Sequence, residues 1–145
     1  MQKEIKHTFF FPHSTETVWD YLTKPELVSQ WLMENDIQPT VGHKFQFRAK
    51  PAPAIEFDGI CYCEIMEVVP FKQLSYSWKC SPIDSGYKID TVVMWTLTPK
   101  DNGTELHLRQ IGFKENENDM FYMAMHNGWA KNIEKLLQNL NSISK

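Results

Sequence analysis

The chain opens on a run of β-formers, Ile5-Lys6-His7-Thr8-Phe9-Phe10-Phe11, closed by Pro12, which predicts a strand. Ser14 precedes Thr15-Glu16-Thr17 as an N-cap, and Val18, Trp19 and Leu22 then fall on one helical face. Lys24-Pro25-Glu26 ends that helix and starts a second, with Pro25 in its first turn and Leu27, Trp31 and Leu32 continuing it. After the turn at Pro39-Thr40-Val41-Gly42 the period changes to two. Phe45 and Phe47 alternate between His43 and Arg48, and Ile60 to Val69 is a long strand candidate. Leu74, Tyr76, Trp78 and Cys80 alternate with Ser75, Ser77 and Lys79. Val93, Trp95 and Leu97 share a face between Ile89 and Thr98. Asp101-Asn102-Gly103 makes a hairpin turn, and Leu106, Leu108 and Gln110 share a face of the strand from Thr104 to Phe113.

A helical period returns after the polar stretch 114–119. Asn118 or Asp119 caps a final helix to about Asn141, with Phe121, Met125, Trp129, Ile133, Leu136, Leu137 and Leu140 as its apolar stripe. Gly128 inside it costs about 1 kcal/mol relative to Ala, which points to close approach of another element or to room left for something. The order is β-αα-βββββ-α, with no repeat and no linker. It predicts one α+β domain over residues 1–145: a curved antiparallel six-stranded sheet wrapped around a long C-terminal helix, with two short helices after the first strand.

Composition narrows the function. Phe, Tyr and Trp make up 13% of the 145 residues, and rings in that number must be buried or must line something. A net charge of −3 gives no basic footprint for nucleic acid. No apolar run is long enough for membrane insertion. The start, Met1 to Lys6, lacks the apolar core of a signal peptide, and three cysteines argue against a disulfide framework. A cytoplasmic protein is the expectation.

The candidate chemistry lies on the inner faces. Phe45, Tyr76, Trp78, Trp95, Phe121 and Trp129 line a cavity or pack a core, and Tyr62 and Met125 join them as ligand-binding candidates. Gln110 alternates inward with Leu106 and Leu108, and its buried amide needs a partner: a ligand, a water or another side chain. The five histidines lie on different elements and do not converge. Cys61 and Cys63 share a strand face, with Cys80 on a neighbouring strand. One intervening residue and no suitably spaced histidine make this a poor zinc set, so no metal and no cofactor is assigned. Tyr62, Tyr76 and Glu67 are the titratable inward candidates, and no two have complementary roles, so no catalytic residue is named. Nucleophile-elbow, zinc-protease and phosphate-loop motifs are absent. Met120, Met123 and Met125, with Phe121 and Tyr122, form a soft patch where a mobile mouth would meet the Pro51–Pro53 loop and the Pro82–Gly86 turn.

Five stretches carry a family resemblance: Thr17-Val18-Trp19 through Trp31; Val41-Gly42-His43-Lys44-Phe45; Glu64 to Pro70 with Leu74-Ser75-Tyr76-Ser77-Trp78; Trp95-Thr96-Leu97-Thr98-Pro99 with Gly103-Thr104-Glu105-Leu106; and Gly112-Phe113 with Gly128-Trp129. In this order they resemble the activator of heat-shock protein 90 ATPase homologue-like family, within the START-like and birch-pollen-allergen helix-grip superfamily. The resemblance implies a deep cavity between sheet and helix that takes lipids, polyketides or flavonoid-like aromatics. In the family the position of Gln110 often carries His or an acidic residue, and a Gln cannot act as general acid or base. A carrier or sensor of a small hydrophobic ligand therefore ranks first, as a monomer or weak dimer. A chaperone-associated domain of the stress response ranks second, and a cyclase- or hydrolase-type enzyme third.

Overall fold

The computed structural model describes residues 3–55, 57–84, 86–114 and 119–143. Strand β1 (Lys3–Phe11) is followed by helices α1 (Thr15–Thr23) and α2 (Pro25–Val28). Strands β2 (Glu34–Asn35), β3 (Lys44–Arg48), β4 (Ile60–Val69), β5 (Gln73–Ile83), β6 (Gly86–Lys100) and β7 (Gly103–Phe113) then precede helix α3 (Asp119–Ile143). One antiparallel sheet runs β1-β7-β6-β5-β4-β3-β2, so the first strand closes beside the last. The expected helix-grip order is present, with seven strands in place of six. The extra strand, β2, pairs Glu34 with Arg48 and Asn35 with Phe47 at the β3 edge. Two residues are too few to show a period. Side-chain hydrogen bonds settle Asn35 there instead: its amide donates to Met33 O and accepts from Ile37 N.

Local chemistry fixes the ends. Ser14 Oγ accepts from Thr17 N at 3.2 Å and caps α1, whose Val18, Trp19, Tyr21 and Leu22 are buried. Trp31 Nε1 donates to Tyr21 O at 2.8 Å and ties the segment after α2 to α1. Strands β5 and β6 run past the turn expected at Pro82, pairing Pro82 with Tyr87 and Ile83 with Gly86 beyond the last pairing with β4 at Cys80. Gly112, at φ +107°, lets β7 pass close to β6, because a Cβ there would lie 2.8 Å from Asp90 O.

The alternating residues deliver the core. Phe45 and Phe47 of β3, Cys61, Cys63 and Ile65 of β4, and Leu74, Tyr76, Trp78 and Cys80 of β5 are buried on the concave face. Ile89, Val93, Trp95 and Leu97 of β6 and Leu106, Leu108 and Gln110 of β7 complete it. Against them α3 lays Phe121, Trp129, Ile133, Leu136 and Leu140, all buried, with Met125 and Leu137 half-buried at the margins.

Candidate functional site

The space between sheet and α3 is organised by rings. Phe45 meets Tyr76 at 5.3 Å and Phe47 at 5.4 Å, and Phe47 meets Trp78 at 5.0 Å. Trp78 meets Trp129 at 5.3 Å, Trp129 meets Trp95 at 5.5 Å, and Trp95 meets Trp31 at 6.0 Å. Five of the candidate lining residues, Phe45, Tyr76, Trp78, Trp95 and Trp129, thus form one continuous chain. Phe47 and Trp31 belong to it and were not singled out from sequence, although Phe47 shares the alternation of Phe45. Phe121 stands apart at the start of α3, where it meets Phe57 at 6.1 Å. Met120 and Met123 beside it are exposed. Ser85, in the Pro82–Gly86 part of the mouth expected there, lies outside the described residues, as do residues 115–118 before α3.

Gln110 points inward as alternation requires, and its partners are side chains. Its Nε2 donates to Thr91 Oγ1 at 2.9 Å, and its Oε1 accepts from Trp129 Nε1 at 2.8 Å. Thr91 Oγ1 in turn donates to Trp78 O at 2.8 Å. This buried relay joins α3 to β7, β6 and β5, and of the three partners open to Gln110 it supplies the third. Thr91 is the member that alternation with Val93 and Trp95 would have revealed. A fully buried network of this kind is stiff when every member is paired.

Tyr62 corrects the expectation most clearly. Cys61 and Cys63 take the inner parity of β4, opposite Phe47 and Phe45, so Tyr62 faces outward. There it meets Tyr87 at 5.5 Å and, with Lys44, Gln46 and Lys79, lines an outer groove of about 570 Å³. Glu67, the other titratable candidate on β4, is exposed beyond an irregularity between Ile65 and Glu67. Tyr76 does face inward. Burial pushes its phenol far above the ordinary range, against the pull of the Trp95 hydrogen bond, which keeps it neutral and unfit as a base near pH 7.

The cysteines behave as small core residues. Cys61 and Cys80 are paired across β4 and β5, with sulfurs 3.4 Å apart. Burial first, and the neighbouring thiols second, push Cys61 well above the usual thiol range, and burial does the same to Cys63. Among the described residues no cluster of His, Cys, Asp and Glu has the geometry of a metal site.

Helix α3 is seated asymmetrically. On one flank Tyr122 Oη donates to Glu4 O at 3.0 Å, and His7 Nε2 lies 3.1 Å from His126 O, with the two imidazole rings 4.8 Å apart. Among the strands, β1 is the one its backbone follows closely. Gly128 is two residues past His126 and, at about 100° per residue, sits on the opposite flank. A Cβ built there would meet nothing within 4 Å. Of the two readings offered by a glycine in this helix, close approach is overturned and open space holds.

Comparison with known proteins fits this architecture. A family model described as Activator of Hsp90 ATPase homolog 1-like protein matches residues 12–141. No curated protein matches the chain. The crystal structure of protein MLL2253 from Mesorhizobium loti is 35% identical, with a TM-score of 0.86 over 97% of this chain and 98% of that one. The solution structure of the Aha1 dimer from Colwellia psychrerythraea shares the fold at 18% identity, a TM-score of 0.75 and 92% coverage of both chains. DynU16, a protein of the dynemicin biosynthetic locus, shares it at 21% identity and a TM-score of 0.74 over 97% of this chain and 48% of its own.

Proposed function

From a chain that belongs to the Activator of Hsp90 ATPase homolog 1-like family, we propose a carrier or sensor that takes a small hydrophobic molecule between the sheet and α3. The observation that carries this reading is the one-sided seating of α3. Tyr122 and His7 hold it to β1, Trp129 pins its middle through Gln110, and the flank at Gly128 faces open space. A molecule entering on that flank meets Phe121, Met125 and then the chain of rings. Such walls suit flat, apolar ligands, and half-buried methionine adapts to irregular ones. The fold relative from a biosynthetic locus is in keeping with a small-molecule role. Among the described residues no complementary acid and base meet in the interior, which ranks binding above catalysis.

A thermal-shift screen of aromatic polyketides, flavonoids and fatty acids tests the proposal. A ligand at 100 times its Kd stabilises by about 2.7 kcal/mol, or roughly 5–11 °C in Tm for a chain of this size. Gly128→Leu fills the open flank with a better helix former, so it should fold with an equal or higher Tm and lose the shift. A flat screen overturns the reading.

A second reading rests on the outer groove. Tyr62, Tyr87 and Lys79 on the convex face offer aromatic and cationic contacts of the kind found at protein interfaces, which suits a chaperone-associated domain. Stoichiometric capture of a heat-shock protein 90 homologue, lost on Tyr62→Ala, would favour it.

A further inference from the structure

The ligand-binding reading leaves open what the bound molecule must offer, and the indoles of the core answer that. Trp31 Nε1 donates to Tyr21 O at 2.8 Å, Trp95 Nε1 to Tyr76 Oη at 3.0 Å, and Trp129 Nε1 to Gln110 Oε1 at 2.8 Å. Trp78, in the middle of the same chain of rings and fully buried, has no such partner. Among the described residues its Nε1 is a buried side-chain donor left without an acceptor. Native cores keep few groups of this kind, and each calls for an explanation. A phenylalanine would supply a flat ring against Phe47 and Trp129 without stranding a donor. Tyr76, two residues away on the same face with its ring 6.5 Å from that of Trp78, adds a second donor. Its oxygen accepts from Trp95, so the hydroxyl hydrogen is the part of that group left to donate.

Resting on the ligand-binding reading, we infer that Trp78 Nε1 is the hydrogen-bond anchor of the interior site, with the Tyr76 hydroxyl beside it, and that the ligand is an uncharged, flat, largely apolar molecule presenting a carbonyl oxygen. Both unspent groups are donors, so the missing partner is an acceptor. Among the described residues the titratable groups that act on Tyr76 are Cys63 and Cys61, neither of them a cation. A carboxylate or phenolate would enter without a counter-charge, at a cost that a neutral carbonyl avoids. The ring planes restrict the rest of the molecule: Trp78 lies 27° from Tyr76 and 33° from Phe47. Fatty acids, with a charged head and a flexible tail, fit neither condition.

The test uses two probes of one shape, 9-fluorenone and fluorene, which differ in a carbonyl, with the full chain and Trp78→Phe. Wild type should bind fluorenone about tenfold more tightly than fluorene, equivalent to about 1.4 kcal/mol. Trp78→Phe should abolish that preference, so that the ratio of the two affinities falls to about one whatever the change in fluorene affinity itself. Should the variant fail to fold, the wild-type protein labelled with ¹⁵N on its tryptophans decides the matter. One indole N–H resonance should move downfield with fluorenone and not with fluorene. Equal affinities for the two probes in wild type, or a preference that survives Trp78→Phe, overturns the anchor while ligand binding stands. A donor satisfied by a trapped water gives that same result. If neither probe binds and the wider screen is flat, the ligand-binding reading falls and the anchor with it.

Discussion

Gln110→Leu should destabilise the fold by about 2 kcal/mol, and the cause should be the indole it abandons. Leu is close to Gln in size, so little cavity opens. What changes is that Trp129 Nε1, now bonded to Gln110 Oε1 at 2.8 Å, becomes a buried donor with no acceptor. That penalty runs to about 1–3 kcal/mol. Thr91 loses the amide that donates to it but keeps its own bond to Trp78 O. At roughly 2–4 °C per kcal/mol for a chain of this length, Tm should fall by about 4–8 °C. Urea unfolding of Gln110→Leu, Trp129→Phe and the double variant closes a thermodynamic cycle. Once the indole is gone, the introduced leucine strands nothing, so the double variant should be more stable than the sum of single effects predicts by about 1–2 kcal/mol. Additive losses, to within about 0.5 kcal/mol, would show that the relay does not join helix to sheet.

Three further outcomes follow. Burial holds the His7 imidazole below its ordinary value and the His126 ring adds to that, against the raising effect of the bond to His126 O. A base lowered in the folded state contributes stability that is fully present above its unfolded value of about 6.5 and is lost as pH falls from there through the lowered folded value. The Tm of wild type should therefore drop between pH 7 and pH 5 by more than that of His7→Gln, and parallel profiles would refute the assignment. Gly112→Ala forces a Cβ to within 2.8 Å of Asp90 O at φ +107°, so chemical denaturation should reveal a loss of at least about 2 kcal/mol; a neutral change would mean the β6–β7 approach relaxes freely. Tyr62→Ala should leave the affinity of any interior ligand within about twofold of wild type, because the ring lies on the convex face, and a larger loss by calorimetry would return Tyr62 to the site.

Alternation carried most of the architecture. Leu74, Tyr76, Trp78 and Cys80 took the inner face that their spacing assigned, and so did Trp95 and Gln110. Tyr62 as an inward candidate runs against that rule, since alternation puts it on the opposite face from Cys61 and Cys63. The small thiols of Cys61 and Cys63 instead fit opposite Phe47 and Phe45, where aromatic bulk already fills the layer. β2 has two residues and owes its place to the Asn35 side chain, so no periodicity could announce it. Gln110 finds its partners 19 residues away in either direction, on β6 and α3. The inward pointing of such an amide is readable in one strand, but what it touches depends on how three elements meet. The unpaired indole of Trp78 is further still from the sequence, since it is defined by acceptors that are not there.

The three central indoles have an optical consequence. Trp78, Trp129 and Trp95 sit with centroids 5.3 and 5.5 Å apart, one on the helix between two on the sheet, and the latter contact is nearly perpendicular at 85°. At such separations their electronic transitions mix, so the trio absorbs as a coupled chromophore of fixed handedness rather than as three independent dyes. Its near-ultraviolet circular dichroism should be intense, and it should change when α3 shifts against the sheet, even where the backbone signal of helix and strand does not. The protein carries its own gauge of helix position.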